Sequence, residues 1–142
     1  MMISTRGRYA LRVLIDLAEH RNGSFIPLKE IAARQEISLK YVEQVMSLLS
    51  ANGYVATAHG KGGGYRMERD PSDYHVGEIM RLTEGTLAPV ACLEAGAAPC
   101  SRAAECRTLP LWKSLSDAIS TCLDGFTIAD LMRQDPTDNY VI

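Results

Sequence analysis

The chain has 142 residues, 46% of them hydrophobic, and its 15 Lys and Arg against 17 Asp and Glu leave a net charge of −2. That is enough length for one ordinary domain, or a domain with an attached dimerisation segment, and the composition is globular rather than disordered or low-complexity. There is no charged-then-apolar leader and no run of about 18 apolar residues, so a soluble cytoplasmic protein with no membrane partner is expected, and in a reducing cytosol its cysteines point to metal binding, redox chemistry or burial before disulfides.

Ser4 or Thr5 caps a first helix that runs to about His20. Tyr9, Ala10, Leu11, Val13, Leu14, Ile15, Leu17 and Ala18 make it apolar almost all round, as in a helix buried between the next elements and something else, a second subunit included. Arg6, Arg8 and Arg12 near its start are open to phosphate, to an acidic partner or to plain solvation. Asn22-Gly23 turns the chain, Pro27 suits a helix start, and Leu28 to Gln35 forms a short helix with Leu28, Ile31 and Ala32 on one face.

Glu36 and Ile37 make a turn, Ser38 caps a second helix from Leu39 to about Asn52, and Gly53 supplies the left-handed residue that ends it. Val42, Val45, Met46 and Leu49 recur at helical spacing and must bury, which leaves Lys40, Tyr41, Glu43, Gln44 and Ser47 on the outer faces. These are side chains that read base edges and phosphates: Gln pairs with adenine, Glu accepts from cytosine, and Lys, Ser or Tyr grips phosphate or a guanine edge. Tyr54 to Thr57 and Tyr65 to Met67 are short β-prone runs joined by the basic loop Ala58-His59-Gly60-Lys61-Gly62-Gly63-Gly64. No Lys-Ser or Lys-Thr follows the last glycine, and a strand rather than a helix comes next, so this is neither a Walker loop nor a dinucleotide fingerprint.

A polar-faced helix or a glycine loop alone says little. Helix, turn, capped helix, strand, basic glycine loop and strand, in that order from Leu28 to Met67, describe a winged helix-turn-helix. The charge agrees once divided: residues 1–69 hold ten Lys and Arg against six Asp and Glu, residues 70–142 five against eleven. A basic half facing DNA makes affinity fall steeply with salt.

Asp70 to Asp73 breaks the chain, Val76 to Thr83 is a short helix with Val76, Ile79, Met80 and Leu82 available to pack, and Gly85 stops it. A loop of small residues then carries Cys92, Cys100 and Cys106, spaced C-x7-C-x5-C. Soft thiolates suit an iron–sulfur cluster or zinc, Arg102 and Arg107 can offset an anionic centre, and the spacing is not that of a zinc ribbon; free cysteines are the alternative. From Leu109 to Leu123 the pattern is helical, with Leu111, Leu115, Ala118, Ile119 and Cys122 on one stripe that needs a partner surface, in the same chain or another. Gly125 ends it, Thr127 caps Ile128 to Arg133 with Asp130 at capping-box spacing, and Asp135 to Ile142 reads as a mobile tail.

The fold class expected is therefore mainly α. Residues 1–84 form the winged helix-turn-helix with a two-stranded β-wing, 85–108 the cysteine-bearing loop, 109–134 a long C-terminal dimerisation helix and a short final one, and 135–142 the tail.

The segments Arg6-Gly7-Arg8-Tyr9-Ala10-Leu11-Arg12, Ile31-Ala32, Ile37-Ser38-Leu39-Lys40-Tyr41-Val42-Glu43-Gln44 and Gly62-Gly63-Gly64-Tyr65 resemble the bacterial Rrf-two family of winged-helix regulators, the IscR/NsrR type. The likeness continues through Val76-Gly77-Glu78-Ile79, the three loop cysteines and Leu111-Trp112, covering nearly the whole chain. It implies a sequence-specific transcription regulator, expected to be a repressor and not an enzyme, homodimeric through the 109–124 helix and bound to double-stranded DNA at a pseudo-palindromic operator. DNA contacts are expected from Ser38, Leu39, Lys40, Tyr41, Glu43, Gln44 and Ser47, and from His59, Lys61, Gly62, Gly63 and Tyr65 of the wing. It also implies an iron–sulfur cluster, [2Fe-2S] or [4Fe-4S], with Cys92, Cys100 and Cys106 as ligands and cluster state controlling affinity, and for Arg6, Arg8 and Arg12 it adds the cluster region of the other subunit as a further partner.

Two departures stand out. The family's best-known cluster pattern has a histidine three residues after the third cysteine, where this chain has Leu109. The fourth ligand is thus unassigned among Glu94, Glu105, a residue near the partner's first helix, or an exogenous thiol or water. Cys122, about 24 Å further along a helix from Cys106 at ~1.5 Å per residue, is expected as a small buried apolar residue. His59 stands where family wings often carry arginine, a role Lys61 can take over. The rival readings are a cluster-free regulator of the same fold that senses thiol oxidation, zinc, a small molecule or a protein partner, and, from another class, an iron–sulfur carrier or redox protein. No nucleotide, flavin or substrate motif accompanies the cysteines to support the last.

Overall fold

Ser4 opens the first helix, α1 (Thr5–Glu19), by accepting a hydrogen bond from the Gly7 backbone N–H, while its own N–H and hydroxyl donate to Glu84. The computed structural model describes residues 2–133; the expected tail from Asp135 to Ile142 lies outside them. α1 is the helix around which the others pack: α2 (Leu28–Gln35), α3 (Leu39–Ala51), α4 (Val76–Glu84) and α6 (Ile128–Leu131) all touch it. Its Ala10, Val13, Leu14, Leu17 and Ala18 meet Ile31 and Ala32 of α2, Val42, Val45, Met46 and Leu49 of α3, and Ile79 and Ile128 in one core.

α2 and α3 form the helix-turn-helix. Glu36 ends α2 at a left-handed φ of 54°, Ile37 buries, and the Ser38 hydroxyl accepts from the Tyr41 N–H at 3.2 Å to start α3. Gly53, at φ 76°, closes α3. The strands β1 (Val55–Ala58) and β2 (Gly64–Met67) pair antiparallel, Val55 opposite Met67 and Ala58 opposite Gly64. β1 is shifted one residue along from its expected place, and β2 starts one residue early and ends at Met67 as expected. Tyr54 is not free to pair because its N–H donates to Leu49 at 2.9 Å and finishes α3 instead. Ile26 adds a single-residue bridge to the other edge of β2, exchanging hydrogen bonds of 2.8 and 2.9 Å with Tyr65.

The breaker at Asp70 becomes a single 3-10 turn, Pro71–Asp73, which delivers Tyr74 into the core. The Tyr74 hydroxyl donates to the Tyr54 carbonyl at 2.5 Å and accepts from the Glu68 and Arg69 N–H groups, so the wing is tied to the body at its root. α4 approaches α1 at Gly7, where an added Cβ would fall 2.2 Å from Glu84 Oε1.

α5 (Leu109–Asp124) is the longest helix and buries no residue fully. Its expected stripe divides. Ile119 turns inward with Leu123 against Val76, Met80 and Leu87, and the Asp124 carboxylate accepts from Arg81 at 2.7 and 2.9 Å. Leu111 and Leu115, 57% and 41% exposed, continue with Ala118 and Cys122 along an uncovered face. Cys122 is therefore exposed in this chain, not buried as its neighbours in the stripe imply, because that face points away from α4. Thr127 and Asp130 form the expected capping box at α6, which ends at Leu131 rather than Arg133. No helix among the described residues is long and apolar enough to cross a membrane.

Candidate DNA interface and cysteine loop

The inward face of α3 is consumed by the core, so its outward face is what the fold presents. Lys40, Glu43, Gln44 and Ser47 are exposed around one open hollow, and Ser38 and Leu39 are exposed at the helix start. Tyr41 differs from expectation: it is half-buried, its ring edge-on to Tyr9 with centroids 5.2 Å apart. At the wing tip His59, Lys61 and Gly62 are exposed, and Gly63 lies so near the Ala58 and Gly60 carbonyls that a Cβ would not fit. Tyr65 is half-buried on β2, opposite Thr57 and bridged to Ile26. Burial first, and then the Glu43 carboxylate, push its hydroxyl above the ordinary phenol range, so it stays a donor beside α3.

Two wing arginines escaped the sequence reading. Arg66 is exposed on β2, its guanidinium 4.4 Å from the Phe25 ring centroid and donating to the Gly23 carbonyl at 3.2 Å. Arg69 lies over Tyr54 and Tyr74, at 5.2 and 4.8 Å. The outward phase of β2 after the half-buried Tyr65 was the available signal for Arg66.

Arg12, left open between phosphate, an acidic partner, the other subunit's cluster region and solvent, reaches α2 in this chain, where its Nε donates to the Gln35 side-chain carbonyl at 3.2 Å. Asp16 is buried in the otherwise apolar α1 and accepts from Arg34 and Gln35. His20 ends α1 and His75 precedes α4, both exposed as expected of helix-end residues.

The cysteine loop is built from two 3-10 turns, Ala91–Leu93 and Ala103–Glu105, joined by irregular backbone. Cys92 and Cys100 are exposed and Cys106 is half-buried. All three border one hollow of about 170 Å³ with Leu93, Pro99, Ala103, Leu109 and Lys113. Leu109 brings no donor there, and neither Glu94 nor Glu105 lines it. The thiols share the hollow without closing into a ligand set: among the described residues, no three His, Cys, Asp or Glu side chains stand together as a metal site.

Cys106 is further tied to α5. Its sulfur lies 3.5 Å from the Thr108 hydroxyl, which also accepts from the Trp112 indole N–H at 3.2 Å. Thr108, through its hydroxyl and then its backbone, holds the Cys106 thiol below the ordinary range, with smaller help from the Leu109 backbone and the Arg102 charge. Because the thiolate is the nucleophile, alkylation of Cys106 by iodoacetamide should rise at a lower pH than that of a free thiol. Peptide mass spectrometry across pH checks this, and Thr108→Val should move the rise to higher pH.

A capped helix with an exposed polar face, set behind a helix-turn-helix turn and beside a basic glycine wing, defines a winged-helix DNA-binding protein. The chain belongs to the Rrf2 family: the family model, described as an iron-dependent transcriptional regulator, matches residues 3–134. It is 38% identical to the HTH-type transcriptional regulator IscR of Vibrio atlanticus (strain LGP32) over 142 residues, covering 100% of this chain and 79% of that one. It is also 38% identical over 133 residues to Protein rrf2 of Nitratidesulfovibrio vulgaris, 94% of this chain and 88% of that one. Among solved structures it is similar to CymR, the global cysteine regulator of B. subtilis, with TM-score 0.74, 36% identity and coverage of 92% of this chain and 95% of that chain. It is likewise similar to T. potens IscR, with TM-score 0.71, 31% identity and coverage of 97% and 96%. The family model, the Vibrio IscR and CymR are all described as regulators, and this chain is a DNA-binding transcription regulator and not an enzyme.

Proposed function

We propose that the protein is a cytoplasmic homodimeric repressor whose grip on a pseudo-palindromic operator is set by an iron–sulfur cluster at Cys92, Cys100 and Cys106. The observation that carries the reading is that three thiols border one hollow against the first turn of α5. Soft thiolates fit such a group chemically, and the small loop residues leave room for them to close around it. The bound cluster would supply an anionic, redox-sensitive centre. The fourth ligand is left to a group outside the hollow.

On DNA, Ser38, Leu39, Lys40, Glu43, Gln44 and Ser47 would enter the major groove from α3, with Tyr41 limited to its exposed edge. His59, Lys61, Gly62, Gly63 and Tyr65 would lie along the flanking backbone from the wing. The second subunit would cover Leu111, Leu115, Ala118 and Cys122, whose spacing of four, three and four residues is that of a helix–helix seam. α5 then carries both the cysteine hollow at its start and the dimer seam along its length. The state of the thiols shifts DNA affinity by as much as it favours one arrangement of the two recognition helices over the other.

A cluster-free thiol sensor of the same fold is the second reading, favoured by Leu109 in the hollow and by the lowered Cys106 thiol. Anaerobic purification with iron and sulfide analysis, repeated with each of Cys92, Cys100 and Cys106 changed to alanine, separates the two. Iron and sulfide that vanish in all three variants support the cluster. Iron-free protein that forms a sulfenate or disulfide with peroxide supports thiol sensing, and zinc in place of iron points to a structural or regulatory zinc site.

A further inference from the structure

Arg12 and Asp16 stand one turn apart on α1, and both engage Gln35, the last residue of α2. Arg12 Nε donates to the Gln35 side-chain carbonyl at 3.2 Å, and Arg12 Nη2 donates to the Gln35 backbone carbonyl. Asp16, 1% exposed, accepts from Gln35 Nε2 at 2.9 Å and from Arg34 Nη2 and Nε at 2.7 and 3.0 Å. Both ends of the Gln35 amide and its main chain are therefore held from α1. The next residue is the left-handed Glu36, then buried Ile37, then Ser38, the cap of α3. A buried carboxylate is tolerated only with its partners in place, so Asp16 selects one arrangement of Arg34 and Gln35. Tyr9, beneath the Arg12 guanidinium at 5.1 Å, is also the ring that Tyr41 of α3 meets edge-on.

We infer that Arg12, Asp16 and Gln35 form a clamp that fixes the angle at which α3 is presented to DNA, which makes Arg12 and Gln35 positioning residues for sequence discrimination and not phosphate contacts. The inference rests on α3 being the reading helix. Asp16→Asn is expected to weaken the fold as well, so the charge-conserving Arg12→Lys and the isosteric Gln35→Met carry the test.

An operator is selected with the full-length protein from a random duplex library. Affinity for it and for a random duplex of equal length is then measured across salt, with thermal midpoints alongside. Each variant should lower the operator-to-random ratio about tenfold, the loss expected for one charge-assisted hydrogen bond, with random-duplex affinity and salt slope unchanged. Lysine fails at position 12 because it cannot make the fork. The double variant should be little worse than either single one, since both act through the same contact. If Arg12→Lys binds both duplexes normally while Arg12→Met weakens both alike and lowers the salt slope by about one, Arg12 is a phosphate contact and the clamp is wrong. A ratio held within about twofold in Gln35→Met also overturns it. Gln44→Ala separates the two levels: an unchanged operator affinity there removes α3 as the reading helix and the clamp with it, whereas a loss confined to Gln44→Ala removes the clamp alone.

Discussion

Gly64→Ala is expected to destabilise the chain by about 3 kcal/mol or more, enough to leave little folded protein at growth temperature. Gly64 opens β2 at φ 150°, and a Cβ there would stand 2.1 Å from the Ile26 carbonyl oxygen and 2.4 Å from its carbon. Those atoms belong to the strand bridge between Ile26 and Tyr65, so relief requires the main chain to part and two hydrogen bonds to lengthen. The wing would lose its anchor together with the domain's stability. Gly62→Ala is the contrast: at φ 79°, with nothing within 4 Å of the added carbon, it should cost only about 1 kcal/mol of left-handed strain. Denaturant midpoints of the two variants test this, and a Gly64→Ala protein as stable as the Gly62→Ala one would show that the close approach is not maintained in solution.

Leu115→Asp should convert the proposed dimer into monomer and lower operator affinity by about 10²- to 10⁴-fold, the gain that linking two half-site contacts provides. The exposed stripe of α5 is apolar from Leu111 to Cys122 apart from small polar residues, and a carboxylate at its centre would be desolvated opposite its own copy. α5 itself should survive, because Ile119, Leu123 and the Arg81–Asp124 pair hold it to α4 independently of any partner. Sedimentation and circular dichroism together give the answer. A dimer that persists in Leu115→Asp would place the interface elsewhere.

Periodicity and caps made most of the fold legible, since Ser38, Gly53, Thr127 and Asp130 mark helix ends by chemistry that acts within a few residues. What stayed hidden depends on contacts distant in the chain. Asp16 reads as the wet edge of an apolar helix until Arg34 and Gln35, 18 and 19 residues later, fold over it. Ile26 forms a strand of one residue, too short for any alternation to reveal. The stripe of α5 was visible as apolar, but sequence does not say which neighbour covers which half, so Ile119 and Cys122 were grouped though only one faces α4. The cysteine spacing named the candidate ligands, while their common hollow and the tie from Cys106 to Thr108 needed the loop's path.

Trp112 is the only tryptophan in the chain. Its indole is bonded to the hydroxyl that also touches Cys106, at the point where the loop becomes the seam-bearing helix. Emission excited selectively from this ring therefore arises from that junction alone, and the chain carries a built-in optical gauge of it. Rapid-mixing fluorescence can time events at the thiols against release of DNA with no dye attached and no residue changed.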